Sequence, residues 1–172
     1  MKIKKLQKGF TLIEALVYIA LVSGILIAAT SFAWNIVNSR TSAFTAQEVE
    51  QNGRFVMQKI GKIFKEANQI NIPAIGLSGN IVEVELDDGG TEIVTISQNG
   101  TNIEYQYNSD PVVELNSNLV EISDLQFSNL STVSGSTRNI GVSFTLSHIN
   151  PANRQEWSYS ENYSTTIELR DR

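Results

Sequence analysis

Hydrophobic and polar positions divide the chain into three regions. Ala15–Trp34 is a run of 20 residues without a charge, and as a helix it would span roughly 30 Å, the thickness of a bilayer's hydrocarbon core. From Asn35 to Ile70 there is no proline, and apolar residues recur at the spacing of one helical face. Beyond Gly76 the apolar period changes to two, which is the period of a β-strand. The pattern predicts one long helix followed by a β-rich region.

The second half of the predicted helix is amphipathic. One face carries apolar residues at intervals of 7, 4, 3, 4 and 3, namely Val49, Val56, Ile60, Ile63, Ala67 and Ile70. Phe55 and Phe64 broaden this stripe. We expect the stripe to pack on the chain's own sheet. The alternative is a coiled coil, but the pattern holds for only about three heptads and its polar flanks are irregular.

Three glycines and one proline bear on the course of the helix. Gly24, Gly53 and Gly61 each cost roughly 1 kcal/mol of helix propensity and are candidate positions for a bend. Pro73 disfavours helical backbone at the residue before it. We therefore expect the helix to end near Ile70–Pro73.

Several short segments after Gly76 have the composition and alternation of strands. Asp87–Gly90 and Gln98–Thr101 are turn sequences, and the second contains the Asn-Gly pair typical of hairpins. A Ser/Thr/Gly-rich loop is expected at Asn129–Thr137. The expected strands are Ile81–Leu86, Glu92–Ile96 and Ile103–Tyr107, which form a meander, and then Leu119–Ile122, Leu125–Phe127, Ile140–Ser147 and Tyr159–Leu169. The sequence therefore predicts an α+β fold, in which a long N-terminal helix packs on an antiparallel β-sheet.

Charge is unevenly distributed along the chain. The first nine residues hold four lysines and no acidic residue, and the remainder holds 9 basic and 18 acidic side chains, a formal charge of −9. A surface of that sign is repelled by phosphate backbones, so we expect no direct nucleic-acid partner. The sequence has no cysteine, which excludes disulfides, thiolate metal sites and a cysteine nucleophile.

Few residues offer catalytic or metal-binding chemistry. His148 is the single histidine, so a zinc site or a histidine-based triad has little to build on, and we expect His148 to be a turn residue. Asp87-Asp88-Gly89 lacks the spacing of a calcium loop and favours a hairpin turn. Trp157, Tyr159 and Tyr163 fit either a binding patch or sheet packing. We predict that the protein is not an enzyme and has no catalytic residue, cofactor or metal.

The amino-terminal lysines and the apolar run that follows predict a membrane protein with its N-terminus in the cytoplasm. An ordinary secretory signal would end in a small-residue cleavage site, which is absent after the run, whereas a plain signal anchor fits the hydropathy. Neither explains Glu14, an ionisable residue about one turn inside the apolar segment, where a charge costs about 2.5–3.5 kcal/mol. Such a residue is a functional candidate, and the alternative is an interfacial carboxylate that reaches water.

The segment Lys8–Glu14, with the sequence KGFTLIE, resembles the class III signal of type IV prepilins. In that family a short basic leader ends in glycine and is followed by an apolar helix. The resemblance implies that prepilin peptidase cuts between Gly9 and Phe10, and that Phe10 becomes an N-methylated amino terminus. It also implies that Glu14, the fifth mature residue, acts in assembly. A buried carboxylate needs a partner, and in a helical stack the amine of a neighbour's Phe10 can supply one.

The outer region is similar to minor pilins and to the J-type minor pseudopilins of type II secretion, through Glu50–Phe55, the helix that follows it, and the order of the later strands. The lack of cysteine departs from pilins that close a C-terminal loop with a disulfide. The resemblance implies a basic leader at 1–9, a transmembrane half-helix at 10–34, an amphipathic half-helix at 35–72 and a β-rich pilin domain at 73–172.

The implied function is that of a structural subunit of a type IV pilus-like or type II secretion filament. The implied partners are prepilin peptidase, other pilin or pseudopilin subunits, the inner-membrane assembly platform and membrane lipid. The implied location is a single pass through the inner membrane, N-in and C-out, with the mature form in a periplasmic or cell-surface filament. The alternative is a membrane-anchored extracytoplasmic binding module that does not polymerise. Secretion, adhesion, motility and DNA uptake all remain open as the process served.

Overall fold

The computed structural model describes residues 9–87, 89–132 and 137–169. Within them, the helix α1 (Leu12–Glu66) is followed by strands and one short 3-10 helix, Gln155–Trp157. The strands are β1 (Gln69–Ile72), β2 (Ser78–Gly79), β3 (Ile81–Glu85), β4 (Ile93–Asn99), β5 (Asn102–Tyr107), β6 (Val113–Glu114), β7 (Val120–Asn129), β8 (Asn139–His148) and β9 (Ser160–Glu168). The predicted α+β class is confirmed. The chain forms two compact units, and the boundary in sequence lies between Arg40 and Thr41.

In the first unit, α1 begins at Leu12 and continues through Gly24. Its large apolar side chains are exposed from Leu12 to Trp34. The helix contains a window with a mean hydropathy of 2.4, none of it buried inside the protein, so α1 is long and apolar enough to cross a membrane. The Thr30 hydroxyl donates to the Leu26 carbonyl oxygen at 2.8 Å, which gives this polar group a partner within the helix.

The second unit contains two antiparallel sheets. One has five strands in the order β1-β3-β4-β5-β6, and the other has four in the order β2-β7-β8-β9. The predicted meander is β3-β4-β5, and Gly100 in its second turn has a φ of +59°. β8 and β9 lie within one residue of the bounds predicted for the last two strands. The two-residue strands β2 and β6 were not predicted.

The two predicted segments Leu119–Ile122 and Leu125–Phe127 belong to a single strand, β7. The pairing of β7 with β8 shifts between Ser123 and Gln126, and Asp124 between them has a φ of +55°. Such a β-bulge places extra residues in one strand of the pair and moves the buried positions out of phase. The alternation in the sequence is therefore interrupted, although the strand continues.

The predicted end of the helix near Ile70–Pro73 is wrong. α1 ends at Glu66, and Gln69–Ile72 forms β1, which pairs with β3. The chain leaves the helix because the Asn68 amide donates to the Glu85 carbonyl oxygen at 2.7 Å, where sheet pairing begins. Ile70 still packs against the core, but from a strand. Ile70 was assigned to the helix because it lies three residues after Ala67, which is a helical spacing. A partly buried strand that follows the helix places an apolar residue at the same position.

The core of the second unit is built on one face of α1. Its buried apolar residues include Val49, Val56, Ile60, Ile63 and Phe64. The Phe64 ring meets the Phe127 ring of β7 edge-on, with 6.1 Å between their centroids. The amphipathic stripe therefore packs on the chain's own sheets. Its predicted extension to Phe55 is wrong, because that side chain is 54% exposed.

A polar network joins α1 to the segment before β7. The Asn52 side chain accepts a hydrogen bond from the Ser117 amide at 2.9 Å, and the Ser117 hydroxyl donates to the Glu48 carboxylate at 3.1 Å. Next to them, the buried Asn116 accepts from the Ile103 amide at 2.8 Å and donates to the Val120 carbonyl oxygen at 3.0 Å. These bonds satisfy polar groups that the core would otherwise leave without partners.

Gly53 lets the Tyr163 ring of β9 lie directly against α1. A Cβ at Gly53 would sit 2.0 Å from Tyr163 Cζ. The ring is held on its other side by a stacked contact with Phe144, 5.3 Å between centroids, and its hydroxyl donates to Glu161 at 3.1 Å. Burial, followed by the bond to Glu161, raises the pKa of Tyr163 well above its ordinary value. The glycine is therefore required for close helix–sheet contact, and α1 continues through it.

We predict opposite effects for two glycine-to-alanine substitutions in α1. Alanine gains roughly 1 kcal/mol of helix propensity over glycine at either position. At Gly53 the clash with Tyr163 outweighs this gain, so Gly53→Ala should lower the free energy of unfolding by about 1–3 kcal/mol. At Gly61 the nearest heavy atom to an added Cβ is Ile167 Cδ1, 3.9 Å away, so Gly61→Ala should raise it. Urea unfolding of a protein shortened to residues 35–172 measures both changes.

A Tyr163→Ala background is the control for the Gly53 prediction. Without the ring, Gly53→Ala should become stabilising, like Gly61→Ala. Equal destabilisation with and without the ring would show that the contact with Tyr163 is not the reason for glycine at this position.

Candidate functional site at the amino terminus

The first turn of α1 is capped by Thr11. The Glu14 amide donates to the Thr11 side-chain oxygen at 3.3 Å, and the Ala15 amide donates to the Thr11 carbonyl oxygen at 3.1 Å. Thr11 and Glu14 have the T-x-x-E spacing of a capping box, in which the first residue satisfies a free amide of the first turn. Sequence reasoning missed Thr11, although this spacing was a readable signal.

Glu14 lies in the first turn of α1 and is exposed. It is the only charged residue between Gly9 and Ser39. The free amides at the start of a helix carry a partial positive charge, so this is the end at which a carboxylate is favoured. The structure thus places Glu14 at the end of the helix where the dipole favours a negative charge. The other side chains of this stretch are mostly apolar and exposed, as expected for contact with lipid.

The two residues expected to flank the cleaved bond lie just before the helix. Gly9 and Phe10 have no regular secondary structure, and among the described residues no heavy atom other than those of its chain neighbours lies within 4 Å of a Cβ placed at Gly9. The Phe10 ring lies 5.4 Å from the Tyr18 ring, centroid to centroid, at an angle of 30°. Within the part of the chain that the structure describes, the Gly9–Phe10 peptide bond is therefore followed by an aromatic contact, and no packed side chain lies against Gly9. Gly9, Phe10 and Glu14 fall within six consecutive residues at the start of α1.

The turn at Asp87 is held by its own hydrogen bonds. The Asp87 carboxylate accepts from the amides of Thr91 at 3.0 Å and Glu92 at 2.9 Å, and from the Thr91 hydroxyl. The bond from the Thr91 hydroxyl is the main cause of the lowered pKa of Asp87. The carboxylate oxygens are engaged by the turn itself, as the hairpin interpretation expects. Asp88 of the same motif lies outside the described residues.

The aromatic residues near the C-terminus pack on the sheet. Trp157 meets the ring of the buried His148 edge-on at 5.7 Å, and the Tyr159 hydroxyl donates to Glu161 at 3.4 Å. Tyr163 packs on Gly53 and Phe144 as described above. The expectation that His148 is a turn residue is wrong, because it is the buried last residue of β8, with a ring nitrogen 3.0 Å from the Ile149 carbonyl oxygen. Of the two readings left open by the sequence, these contacts favour sheet packing.

Residues 4–30 match the family model of the prokaryotic N-terminal methylation motif. Comparison with curated proteins and with solved structures found no match. The chain therefore carries the class III prepilin signal, and the resemblance to type IV pilin-like precursors is confirmed at the amino terminus. Such a signal implies processing by prepilin peptidase and assembly with other pilins, and its family is structural rather than catalytic. With the apolar α1, it indicates a protein anchored in the inner membrane.

We predict that Thr11→Ala loosens the first turn of α1 and that Thr11→Ser does not. Loss of an N-cap costs about 1 kcal/mol, which corresponds to about fivefold more frequent opening. Serine keeps the side-chain oxygen and serves as the matched control. Hydrogen exchange of the full chain in detergent micelles should show faster exchange at the Glu14 amide in the alanine variant alone. Identical exchange in both variants would mean that Thr11 does not cap the helix.

Proposed function

We propose that this chain is a structural subunit, a minor pilin or pseudopilin, of a type IV pilus-like or type II secretion filament. The observation that carries the proposal is the contiguous signal Lys8–Glu14, which opens the apolar helix α1. In this proposal the protein catalyses nothing. It is processed by prepilin peptidase, leaves the bilayer through the inner-membrane assembly platform, and packs with other pilin subunits through its N-terminal helix.

Processing would separate the basic leader from the helix. Cleavage between Gly9 and Phe10 removes four lysines, which otherwise hold the amino terminus at the cytoplasmic face in an N-in, C-out orientation. Glycine offers the least steric obstruction to a protease at this position. The apolar helix stays attached and gains a free amine at Phe10, the expected site of N-methylation. An ordinary secretory signal peptide, in contrast, is removed together with its apolar segment.

Glu14 would pair with the Phe10 amine of a neighbouring subunit. The new amine is positively charged and lies at the end of α1 where the helix dipole is also positive. Both charges favour a carboxylate nearby, and Glu14 is the one that this apolar stretch provides. In lipid an unpaired carboxylate is costly, so pairing between subunits lowers the free energy of the filament relative to the single subunit in the bilayer. The same pairing fixes the axial register of neighbouring helices.

The second unit supports a minor rather than a cysteine-closed major subunit. It has no disulfide, and Glu50–Phe55, through which the chain is similar to minor pilins and J-type pseudopilins, lies in the part of α1 that packs on the sheets. A role in initiating or capping the filament follows from that similarity. Neighbouring genes would identify the system that it serves.

The capping geometry supports one alternative, a membrane-anchored extracytoplasmic module that does not polymerise. Glu14 stands at the third helical position of a T-x-x-E capping box, a position that favours glutamate for local reasons. If local capping were its whole role, the residue would serve the helix start and not a neighbouring subunit. Glutamine also suits this position of the box, which allows the two roles to be separated.

We predict that the mature chain begins at Phe10. Mass spectrometry of the protein isolated from its native membrane should show loss of residues 1–9 and one added methyl group on the new amine. The same protein made without prepilin peptidase should keep its leader. A mature start beyond Ala33 would indicate ordinary signal-peptide cleavage and would contradict the proposal.

We predict that Glu14→Ala and Glu14→Gln both abolish filament incorporation. Either change leaves the neighbour's amine without a carboxylate in a low-dielectric contact, a loss of about 3–5 kcal/mol. Membrane insertion and leader cleavage should persist, because a charge is removed from lipid and the Gly9–Phe10 bond is unchanged. The measurement is the fraction of subunit that co-purifies with filaments at equal membrane abundance.

Glu14→Gln separates the two roles of the residue. Glutamine keeps the capping box but removes the negative charge. If Glu14→Gln assembles as wild type does while Glu14→Ala fails, Glu14 serves only the helix start, and the proposed pairing is wrong.

A further inference from the structure

The apolar run of α1 ends at a tryptophan. Trp34 is its last residue, and the chain then becomes polar with Asn35, Asn38, Ser39 and Arg40, of which Arg40 is the first charge after Glu14. The Trp34 side chain is 63% exposed, so its ring lies on the surface of the helix. Tryptophan is enriched where a membrane-spanning helix leaves the hydrocarbon, because its ring favours an apolar medium and its N–H favours water.

The surroundings of the Trp34 ring are polar on one side. A space of about 340 Å³ beside it is lined by Thr30, Ser31 and Asn35. Side chains of a helix lean toward its N-terminus, so the ring covers the turn that contains Thr30 and Ser31. Hydroxyl, amide and indole N–H groups at one level of the helix can bond to the ester and headgroup oxygens of phospholipids. This level of α1 therefore fits the boundary between hydrocarbon and headgroups.

A second group of aromatic rings lies near the start of α1. The Tyr18 side chain is 52% exposed, and its ring lies 5.4 Å from that of Phe10, centroid to centroid. Phe10 is eight residues earlier, so Tyr18 leans toward the start of the helix. Aromatic side chains thus lie toward both ends of the apolar run, as they do in helices whose depth is set by the two membrane interfaces.

The separation of Trp34 from Glu14 matches the thickness of the hydrocarbon. The two residues are 20 positions apart (34 − 14), which is about 30 Å along a helix, and the hydrocarbon core is also about 30 Å thick. With Trp34 at one boundary, Glu14 therefore lies at the other boundary and not in the middle of the bilayer. A carboxylate at the boundary keeps part of its hydration, whereas a deeper one loses it.

We propose that Trp34 anchors α1 in the headgroup region at the outer face of the inner membrane, and that this anchor holds Glu14 at the inner boundary of the hydrocarbon before assembly. The partner of Trp34 is thus a lipid surface. The inference rests on the proposed function, from which it takes the N-in, C-out orientation. It adds the depth of the unassembled subunit and the residue that sets this depth.

The anchor determines when Glu14 needs a partner. A subunit that moves outward into a filament takes Trp34 out of the headgroup region and Glu14 into the hydrocarbon. Both changes oppose the movement of an unpaired subunit. When the Phe10 amine of a neighbour meets Glu14 at the boundary, the carboxylate enters the apolar layer as a pair, and the outward movement becomes easier. Trp34 is therefore a positioning residue for this pair.

Depth-dependent quenching of fluorescence tests where the Trp34 ring lies. The chain has two tryptophans, so Trp157→Phe leaves only Trp34 and keeps an aromatic ring against His148. The full chain is placed, at a low ratio of protein to lipid, in phospholipid vesicles that carry bromine either near the headgroup or near the ends of the acyl chains. Bromine near the headgroup should quench Trp34 about threefold more strongly than bromine near the chain ends.

A matched chain is the control for this measurement. It carries Ile27→Trp and Trp34→Leu in the same Trp157→Phe background, so its single tryptophan lies two turns, or about 10 Å, deeper on the same side of α1. Bromine near the chain ends should quench this tryptophan more strongly.

Moving the tryptophan tests whether it sets the depth of Glu14. Leu12→Cys provides the only thiol of the chain at the exposed first residue of α1. With Trp34 at the outer boundary, this thiol lies about 33 Å away along the helix, just beyond the hydrocarbon, and reacts with an impermeant maleimide at the cytoplasmic face. Thr30→Trp with Trp34→Leu moves the anchor by one turn, draws the thiol into the hydrocarbon, and should lower labelling about tenfold. Asn38→Trp with Trp34→Leu moves the anchor the other way and should keep labelling high.

The labelling is measured in inside-out vesicles of the inner membrane. The chains are made with prepilin peptidase and without the assembly platform, so that they stay in the membrane without the leader. The four lysines of the leader would otherwise oppose any change of depth.

The outcomes separate the anchor from the proposed function. Stronger quenching of Trp34 by the deep bromine, or no quenching at either depth because the ring lies against protein or outside the lipid, would overturn the anchor and leave the filament role intact. Equal labelling of the three chains would overturn it as well, because Trp34 would then not set the depth. An unaltered chain that has the expected depth but enters no filament would instead overturn the proposed function.

Discussion

The packing of α1 on both sheets is the interaction on which the second unit depends. Buried residues of the helix, of β3 and β4, and of β7 and β8 belong to one apolar cluster, so one helical face covers the inner surfaces of both sheets. A sheet with an apolar face must bury that face against another element, and here α1 covers the apolar faces of both sheets. No disulfide supports the arrangement. Packing, strand pairing and hydrogen bonds such as those of Asn116 must therefore stabilise it, and the close approach at Gly53 becomes a requirement.

The sequence allowed much of this to be predicted wherever the signal was local. Val49 to Ile63 showed its helical face because the residues repeat along one element, and the Asn99-Gly100 turn located its hairpin. The wrong predictions occur where the local structure depends on pairing with a strand that is distant in sequence. Gln69–Ile72 continues the helical spacing but pairs with β3, and the bulge at Asp124 depends on β8. Gly53 was read as a place to bend, since nothing in its neighbourhood along the chain reveals the ring of Tyr163, 110 residues later.

The amino-terminal sequence contains a helix-capping pattern as well as the prepilin signal, and only the prepilin signal was predicted. The signal Lys8–Glu14 was recognised, yet the bond from the Glu14 amide to Thr11 shows that the same residues also begin a helix. The two roles are compatible because both use the positive end of the helix dipole. A carboxylate there is stabilised by the amides of its own first turn and attracts any amine nearby. Its position at the helix start explains why a glutamate is tolerated in this apolar segment. Pairing with the amine of a cleaved Phe10 would explain what Glu14 does in assembly.

The distribution of charge in the second unit limits how two copies can approach. An open, regular strand edge is ordinarily a site of unselective pairing. On β9 the outward side chains are mostly hydroxyl and amide groups, which give little apolar surface for such pairing. The excess of acidic residues adds repulsion between most pairs of faces. Lys59, Lys62 and Lys65 are confined to one stretch of α1, and Lys59 already stacks over the Tyr105 ring at 4.8 Å. Repulsion between like charges therefore disfavours most orientations in which two copies could approach each other.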